Sequence, residues 1–321
     1  MCTVVSARGK HRYTGRTLDL EYSYNECVTV TPRQYPFVFT NGDASRSHTA
    51  LVGMAAVSEG VPLYFDAMNE QGLCMAGLHF PTHCYFPPPQ GTGDEVAPFE
   101  LIPRVLTACQ TVAQVREWLS HIRLVDRPFS DTMLGTPLHW MVSDGTECVV
   151  IEPTKEGLLI SDNTVGVMTN SPPFAMQMAN LCQYRHLSAT GSKGNLANLP
   201  PYSKGQGAFG LPGDLTSMSR FVRAVFTREN ARFSARVSEN IEQMFHLMDT
   251  VLQVRGCNRT ADGEEITRYT AVMDADTGVY YYTTYHNRRI TAVDLHRAPI
   301  DRDRLVVYPL MNESSVYWQN R

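Results

Sequence analysis

The sequence predicts an α+β protein whose sheets and helices pack in layers. Three observations carry this reading. Turn-separated β-rich runs fill the first third of the chain, the apolar period changes to that of helices between positions 97 and 124, and strands then return in blocks alternating with further helices. With 321 residues the chain can bury a full core without disulfide or metal staples, so a single domain over 1–321 is expected.

In the first third, 3–8, 26–31, 36–40, 49–57, 62–68 and 72–78 read as strands. Runs 49–57 and 72–78 are nearly continuous in apolar residues, as befits strands covered on both faces. Asn41-Gly42-Asp43 and Asn69-Glu70-Gln71-Gly72 supply the turn chemistry. Next, Phe99, Ile102, Val105 and Leu106 share one helical face, and Val112, Val115, Trp118 and Leu119 share another. Two helices follow, with Pro98 in the first turn of one and Thr111 capping the other.

Strands resume at 138–143, 147–152, 157–161 and 165–169, with Asp144-Gly145 as a hairpin turn. Helices are expected over 174–187, 217–227 and 238–254, the last with Ile241, Met244, Phe245, Met248 and Leu252 facing inward. A hairpin of 269–274 and 279–284 and a strand at 290–294 close the pattern; Tyr280, Tyr281 and Tyr282 read as strand residues on alternating faces. The Gly/Ser/Pro-rich stretch 189–213 reads as a loop within one sheet system rather than a linker.

Composition narrows the function classes. The 28 basic and 32 acidic residues leave a net charge of -4, so no global positive field recruits nucleic acid or an anionic membrane. No 18-residue apolar run and no signal peptide occur, which predicts a cytoplasmic protein without membrane insertion. The eight cysteines lack any CxxC pair or zinc-like Cys/His spacing, so reduced thiols are expected, with no metal and no cofactor.

One cysteine differs from the rest, because it directly follows Met1; of the eight it alone is expected to be both activated and reachable from solvent, the others reading as mostly buried thiols. Removal of Met1 places a thiol and an α-amine on one residue, so nucleophile and base coincide. The ordinary α-amine pKa of about 7.7–8.0 and thiol pKa of about 8.5 allow the amine to take the thiol proton near neutrality. Arg16 and Asp19 follow within reach: a cation stabilises a thiolate, and a carboxylate holds an α-ammonium. Taken alone, Cys2 also suits a residue without a role, and Arg-x-x-Asp a surface ion pair.

Cys2 behind Met1, Gly15-Arg16-Thr17-Leu18-Asp19, Asn69-Glu70-Gln71-Gly72-Leu73, Ala76-Gly77-Leu78, Pro137-Leu138-His139-Trp140, Met168-Thr169-Asn170-Ser171-Pro172 and Gly210-Leu211-Pro212-Gly213-Asp214 through Ser219-Arg220-Phe221 closely resemble the choloylglycine hydrolases. These are the conjugated bile salt hydrolases and penicillin V acylases of the N-terminal nucleophile superfamily. The match runs in order along nearly the whole chain.

The resemblance implies a four-layer αββα sandwich of two mostly antiparallel sheets, a cofactor-free homotetramer, and a mature chain starting at Cys2. It assigns the nucleophile to Cys2, partners to Arg16 and Asp19, an oxyanion-donating side chain to Asn170 and an organising arginine to Arg220. His79 stands where bile salt hydrolases usually carry asparagine and penicillin acylases often tyrosine; the family's second oxyanion donor there is the backbone N–H. Leu20, Tyr24, Phe65 and Leu134 match apolar residues of the acyl pocket. The implied substrate is a glycine- or taurine-conjugated bile acid, cleaved at its amide bond. Within the same chemistry the rivals are penicillin V and N-acyl homoserine lactones, and outside it a non-enzymatic ligand-binding relative. His48, His139 and His246 have no spacing that singles them out.

Overall fold

The structure, a computed structural model, describes residues 1–131, 133, 135–191 and 203–320. Its two main sheets are built from fourteen strands, six in one sheet and eight in the other. In chain order these are β1 (Cys2–Arg8), β2 (Arg12–Leu20), β3 (Cys27–Thr31), β4 (Leu51–Ser58), β5 (Val61–Asn69), β6 (Cys74–His79), β7 (Leu138–Ser143), β8 (Cys148–Thr154), β9 (Gly157–Asp162), β10 (Val167–Met168), β11 (Ile266–Asp274), β12 (Val279–Thr284), β13 (Thr291–Asp294) and β14 (Val306–Pro309). The helices are α1 (Leu101–Ala108), α2 (Val112–Leu119), α3 (Phe174–Leu181), α4 (Ser217–Asn230) and α5 (Val237–Asp249).

The six-stranded sheet runs β10-β1-β2-β11-β12-β13 and the eight-stranded sheet β9-β8-β7-β6-β5-β4-β3-β14. Every pairing within them is antiparallel. Side chains alternate across each strand, so every strand feeds two layers of core. Between the sheets, Val4, Leu18, Met68, Ala76, Met141 and Val150 are buried together, and Ser6 meets Ser143 through their hydroxyls at 2.9 Å. On the outer face of the eight-stranded sheet, Leu101 and Val105 of α1 and Val112 and Val115 of α2 pack on Leu73, Met75 and Trp140. On the far face of the other sheet, Ile241, Met244 and Phe245 of α5 cover Ala7, Tyr13 and Val272. The result is the expected αββα order of layers.

The structure departs from the sequence reading at several elements, among them β14, which the apolar pattern did not mark, and the helix expected over 238–254, which ends at Asp249. Strand β2 was not expected, because its interior carries Thr14, Arg16, Thr17 and Asp19, all buried. Polar residues on both faces erase the apolar alternation that marks a strand. The edge segments shrink: 36–40 keeps only Phe37–Val38, and 165–169 only Val167–Met168. The helix begun at Phe174 stops at Leu181 and continues as a 3₁₀ turn, Cys182–Tyr184. Of the loop 189–213, positions 192–202 lie outside the described residues.

Thr111 caps α2 as its sequence position predicts, accepting from the Gln114 N–H at 3.3 Å. The Asn69 turn joins β5 to β6 and ties both to α1. Its Oδ1 accepts from the Gln71 and Leu73 amides at 3.1 and 3.0 Å, and its Nδ2 donates to the Leu106 and Cys109 carbonyls at 2.9 and 2.8 Å. Gly72 completes the turn at φ +86°, where a Cβ would lie 2.5 Å from the Ala275 carbonyl oxygen. Asn69 is wholly buried, so Asn69→Ala strands four polar backbone groups from their partner. We expect it to lower unfolding stability by about 3 kcal/mol, read as a lower urea midpoint, without moving the strands that carry Cys2.

Candidate active site

Antiparallel pairing of β1 with β2 sets Cys2 opposite Leu18 and Val4 opposite Arg16. Cross-strand partners share a face, so Cys2 and Arg16 both project between the sheets. There Arg16 Nη2 donates to Cys2 Sγ at 3.4 Å and to the Gly77 carbonyl at 3.2 Å. Its Nη1 donates to Asp66 Oδ2 and to the Tyr269 hydroxyl, both at 3.0 Å. Asp66 also accepts from Tyr269 at 2.6 Å and from Tyr280 at 2.7 Å. Burial alone would pull the Arg16 pKa down; Tyr269, Cys2 and Asp66 instead hold it well above its ordinary value, so the cation persists.

Two register irregularities shape this space. In β5 the pairing with β4 skips Phe65, and the pairing of β5 with β6 ends at Asp66 opposite Ala76. Beyond that point β6 is free on its β5 side. His79 pairs with Leu138 on β7 without exchanging hydrogen bonds, since the next residue, Phe80, gives its N–H to Pro137 at 2.8 Å. The N–H and C=O of His79 therefore both face the opened side. Its carbonyl accepts from Asn170 Nδ2 at 2.7 Å. In β11 the register shifts between Thr267 and Tyr269. The bulge lets Tyr269 join the face of Leu18 and Arg16 while Thr267 turns to the face of Asp19.

Asp19 lies three residues beyond Arg16 on the same strand, so it points to the other face. Its carboxylate accepts from Thr267 at 2.6 Å and Thr17 at 3.3 Å. Burial raises its pKa, countered by the amino terminus, Arg220 and the Thr267 bond. The Met1 ammonium donates to the Asp19 carbonyl at 2.7 Å and pairs with buried Glu265.

Asn170 follows β10, and its backbone is held at both ends. Its N–H donates to Ser217 Oγ at 3.0 Å, and its carbonyl accepts from Ser217 Oγ at 2.9 Å and Gln177 Nε2 at 3.2 Å. The side-chain Oδ1 accepts from the Cys2 amide and from Arg220 Nη2, both at 2.8 Å. Two donors at one atom fix the amide's orientation. One Nδ2–H goes to His79, and the other has no partner among the described residues. Arg220, in the first turn of α4, also donates from Nη1 to the Cys2 carbonyl at 2.6 Å and to Thr3 Oγ1 at 2.7 Å. Burial lowers its pKa, and Asp19 and Cys2 oppose that.

The structure thus brings Cys2, Arg16, Asp19, Asn170, Arg220 and the His79 backbone together. His79 is exposed at its surface, and its ring makes no hydrogen bond among the described residues; partial desolvation first, then the amino terminus and His139, lower its pKa. Of the four positions expected in an acyl pocket, Leu20 and Phe65 pack against the inter-sheet core, and the Tyr24 ring lies 5.8 Å from Phe65. Leu134 lies outside the described residues. A cleft of about 490 Å³ opens beside Tyr24, lined by Ser23, Glu26, Cys27, Ile266 and Arg268 among others, and does not include Cys2.

Sequence reasoning missed Asp66, Tyr269, Tyr280, Thr267, Ser217 and Gln177. The available signal was Asp66, a lone charge inside an otherwise core-like strand. His139, which no spacing singled out, is buried, stacks on Phe80 at 4.3 Å and stands between Glu152 and the Thr169 carbonyl. Solvent access also departs from expectation. Cys2 is buried, 3% exposed, and the exposed thiols are Cys182 and Cys257. Burial pushes the Cys74, Cys84 and Cys148 thiols up to about 12 and that of Cys109 up to about 11.

Comparison with known proteins gives the chain a family context. The model of the linear amide C–N hydrolases, choloylglycine hydrolase family, matches residues 2–308. A relative named bile salt hydrolase/transferase from Lactiplantibacillus plantarum is 43% identical over 324 residues, covering 100% of both chains. A solved structure of a mutant conjugated bile acid hydrolase from Clostridium perfringens superposes with a TM-score of 0.92 at 34% identity, covering 100% of each chain. Penicillin V acylase from Agrobacterium tumefaciens shares the fold, with a TM-score of 0.77 at 20% identity over 98% of this chain and 94% of that one.

A carboxyl whose pKa rises on folding favours the folded state below its ordinary pKa and loses that contribution as pH rises. Asp19→Asn removes the buried charge and keeps an acceptor for Thr267. Its urea midpoint should exceed that of the parent chain at pH 7, and the difference should close as pH falls to 3.8, the ordinary value.

Proposed function

The chain belongs to the choloylglycine hydrolase family of linear amide C–N hydrolases, and from that premise we propose that it hydrolyses glycine- or taurine-conjugated bile acids with Cys2 as nucleophile. The observation that carries the proposal is the convergence on Cys2 of the Arg16 guanidinium at Sγ and of Asn170 and Arg220 at its backbone. The names and full-length identity of the L. plantarum and C. perfringens relatives support bile acids as substrate.

Loss of Met1 turns the Cys2 amide nitrogen, now hydrogen-bonded to Asn170, into a primary amine. That amine takes the Sγ proton as the sulfur attacks the substrate carbonyl carbon. The C=O electron pair moves onto oxygen, where the His79 N–H and the free Nδ2–H of Asn170 donate to it. Collapse breaks the C–N bond, the amine returns its proton to the departing glycine or taurine, and a thioester remains on Cys2. Water, deprotonated by the same amine, attacks the thioester; the bile acid leaves and the thiol reforms. An amine that takes the place of water gives transfer rather than hydrolysis, in keeping with the name of the L. plantarum relative. Asp19 holds the α-ammonium form of the base, and Arg16 favours the thiolate.

The proposal extends to a cytoplasmic homotetramer. Eight unpaired cysteines suit a reducing compartment, and the exposed Met311, Val316, Tyr317 and Trp318 offer apolar surface for association. Leu20, Tyr24 and Phe65 are the described residues of the proposed acyl pocket.

Cys2→Ala should lose at least about a thousandfold in kcat, and Asn170→Ala about 10²–10³-fold, both measured on taurocholate and glycocholate. A panel adding penicillin V and an acyl homoserine lactone should rank bile salts first in kcat/KM; a higher value for either rival reassigns the substrate. Iodoacetamide should label Cys182 and Cys257 without loss of activity, while inactivation tracks modification of Cys2.

A further inference from the structure

The clamp behind Cys2 contains a carboxylate to which the reaction cycle gives no part. Asp66 stands on β5, in the opposite sheet from Cys2 and Arg16, and is wholly buried. Arg16 has five N–H donors in one plane. Its Nη1 serves Asp66 and Tyr269, its Nη2 serves Cys2 Sγ and the Gly77 carbonyl, and its Nε serves the Thr17 carbonyl at 3.2 Å. A guanidinium held on every donor has one orientation, and the nitrogen that faces the sulfur is fixed by the one that faces Asp66.

The geometry points to Asp66 as a positioning residue for the nucleophile: it fixes the plane of the Arg16 guanidinium and offsets that cation, so that the acidity of the Cys2 thiol is set from the opposite sheet. This rests on the reading of Cys2 as the nucleophile. Without Asp66 the thiolate is the one anion in direct contact with a buried cation. A thiol made more acidic in that way forms more thiolate but is a weaker nucleophile. The carboxylate therefore holds the sulfur between two losses.

The tyrosines refine the setting. Tyr280 of β12 donates to Asp66 Oδ1, and Tyr269 of β11 donates to Oδ2 while accepting from Arg16. Burial raises the pKa of both hydroxyls well above the ordinary tyrosine value, so they remain donors. Each donor disperses negative charge from the carboxylate and tempers its pull on Arg16. The remaining groups facing this cluster are Arg220 of α4, Asp19 of β2 and the chain's amino terminus around Cys2, and Cys74 of β6 beside Asp66. They are unchanged in the variants below.

The two ends of the clamp predict shifts of opposite sign, which a structural brace does not. The experiment measures iodoacetamide labelling of Cys2 against pH by peptide mass mapping, together with kcat and KM on taurocholate. Asp66→Asn should move the labelling midpoint down by about one pH unit and lower kcat more than it raises KM. Tyr280→Phe should move the midpoint up, by less. Midpoints that stay with the parent protein, or that move in the reverse directions, overturn the inference, as does a Cys2 that resists labelling at every pH. If Asp66→Asn does not fold, the upward shift in Tyr280→Phe decides alone. Full turnover by Cys2→Ala removes the nucleophile reading, whereas the labelling midpoint judges Asp66 independently of activity.

Discussion

A guanidinium cut off from water must find five hydrogen bonds inside the protein, and Arg16 finds them on both sheets at once. Asp66 and Gly77 come from the eight-stranded sheet, Tyr269, Thr17 and Cys2 from the six-stranded one. A buried cation left unpaired is strongly destabilising, so the two sheets must meet in the register that satisfies Arg16. That constraint explains features that look accidental one at a time: the bulge at Phe65, the early end of the β5–β6 pairing, and the bulge that turns Tyr269 toward Asp66. Each is a departure from regular pairing that delivers one donor or acceptor to the same point.

The second arginine works from the other side. Arg220 reaches the Cys2 carbonyl and Asn170 Oδ1 through the sheet's helical face, with Asp19 as the nearest compensating charge rather than a direct partner. Cys2 therefore sits between two buried cations, one at its sulfur and one at its carbonyl. Asn170 links this arrangement to the opened side of β6, since the same amide that accepts from Cys2 and Arg220 donates to His79. The site is held by strands, a helix start and a clamped loop; in the proposed reaction, its oxyanion donors would not need to reorganise.

Much of this was legible in the sequence, and the limits are physical. Strands with apolar alternation match nearly to the residue, as in Leu138–Ser143 and Val279–Thr284, whereas the helices with a 3.6-residue stripe are placed correctly but end elsewhere, at Leu181 and Asp249. Strand β2 was not found, because the strand that carries the chemistry buries Arg16 and Asp19 where a pattern reader expects valine. The site residues Cys2, Arg16, Asp19, Asn170 and Arg220 came from motif resemblance, and the structure gathers them. Asp66, Tyr269 and Tyr280 escaped because their meeting depends on two bulges and on the packing of two sheets, neither of which leaves a local pattern. The accessibility of the thiols escaped for a related reason: position 2 suggests an exposed end, but Cys2 is buried between the sheets, paired with Leu18 on one side and held by Asn170.

The central claim is that the Cys2 sulfur carries the acyl group. Acid quenching during the first turnovers on taurocholate, followed by digestion and mass spectrometry, tests it most directly. The account predicts a cholyl adduct on a peptide that begins at Cys2, with Met1 absent. An adduct on another residue, or turnover by chains that all retain Met1, would contradict it.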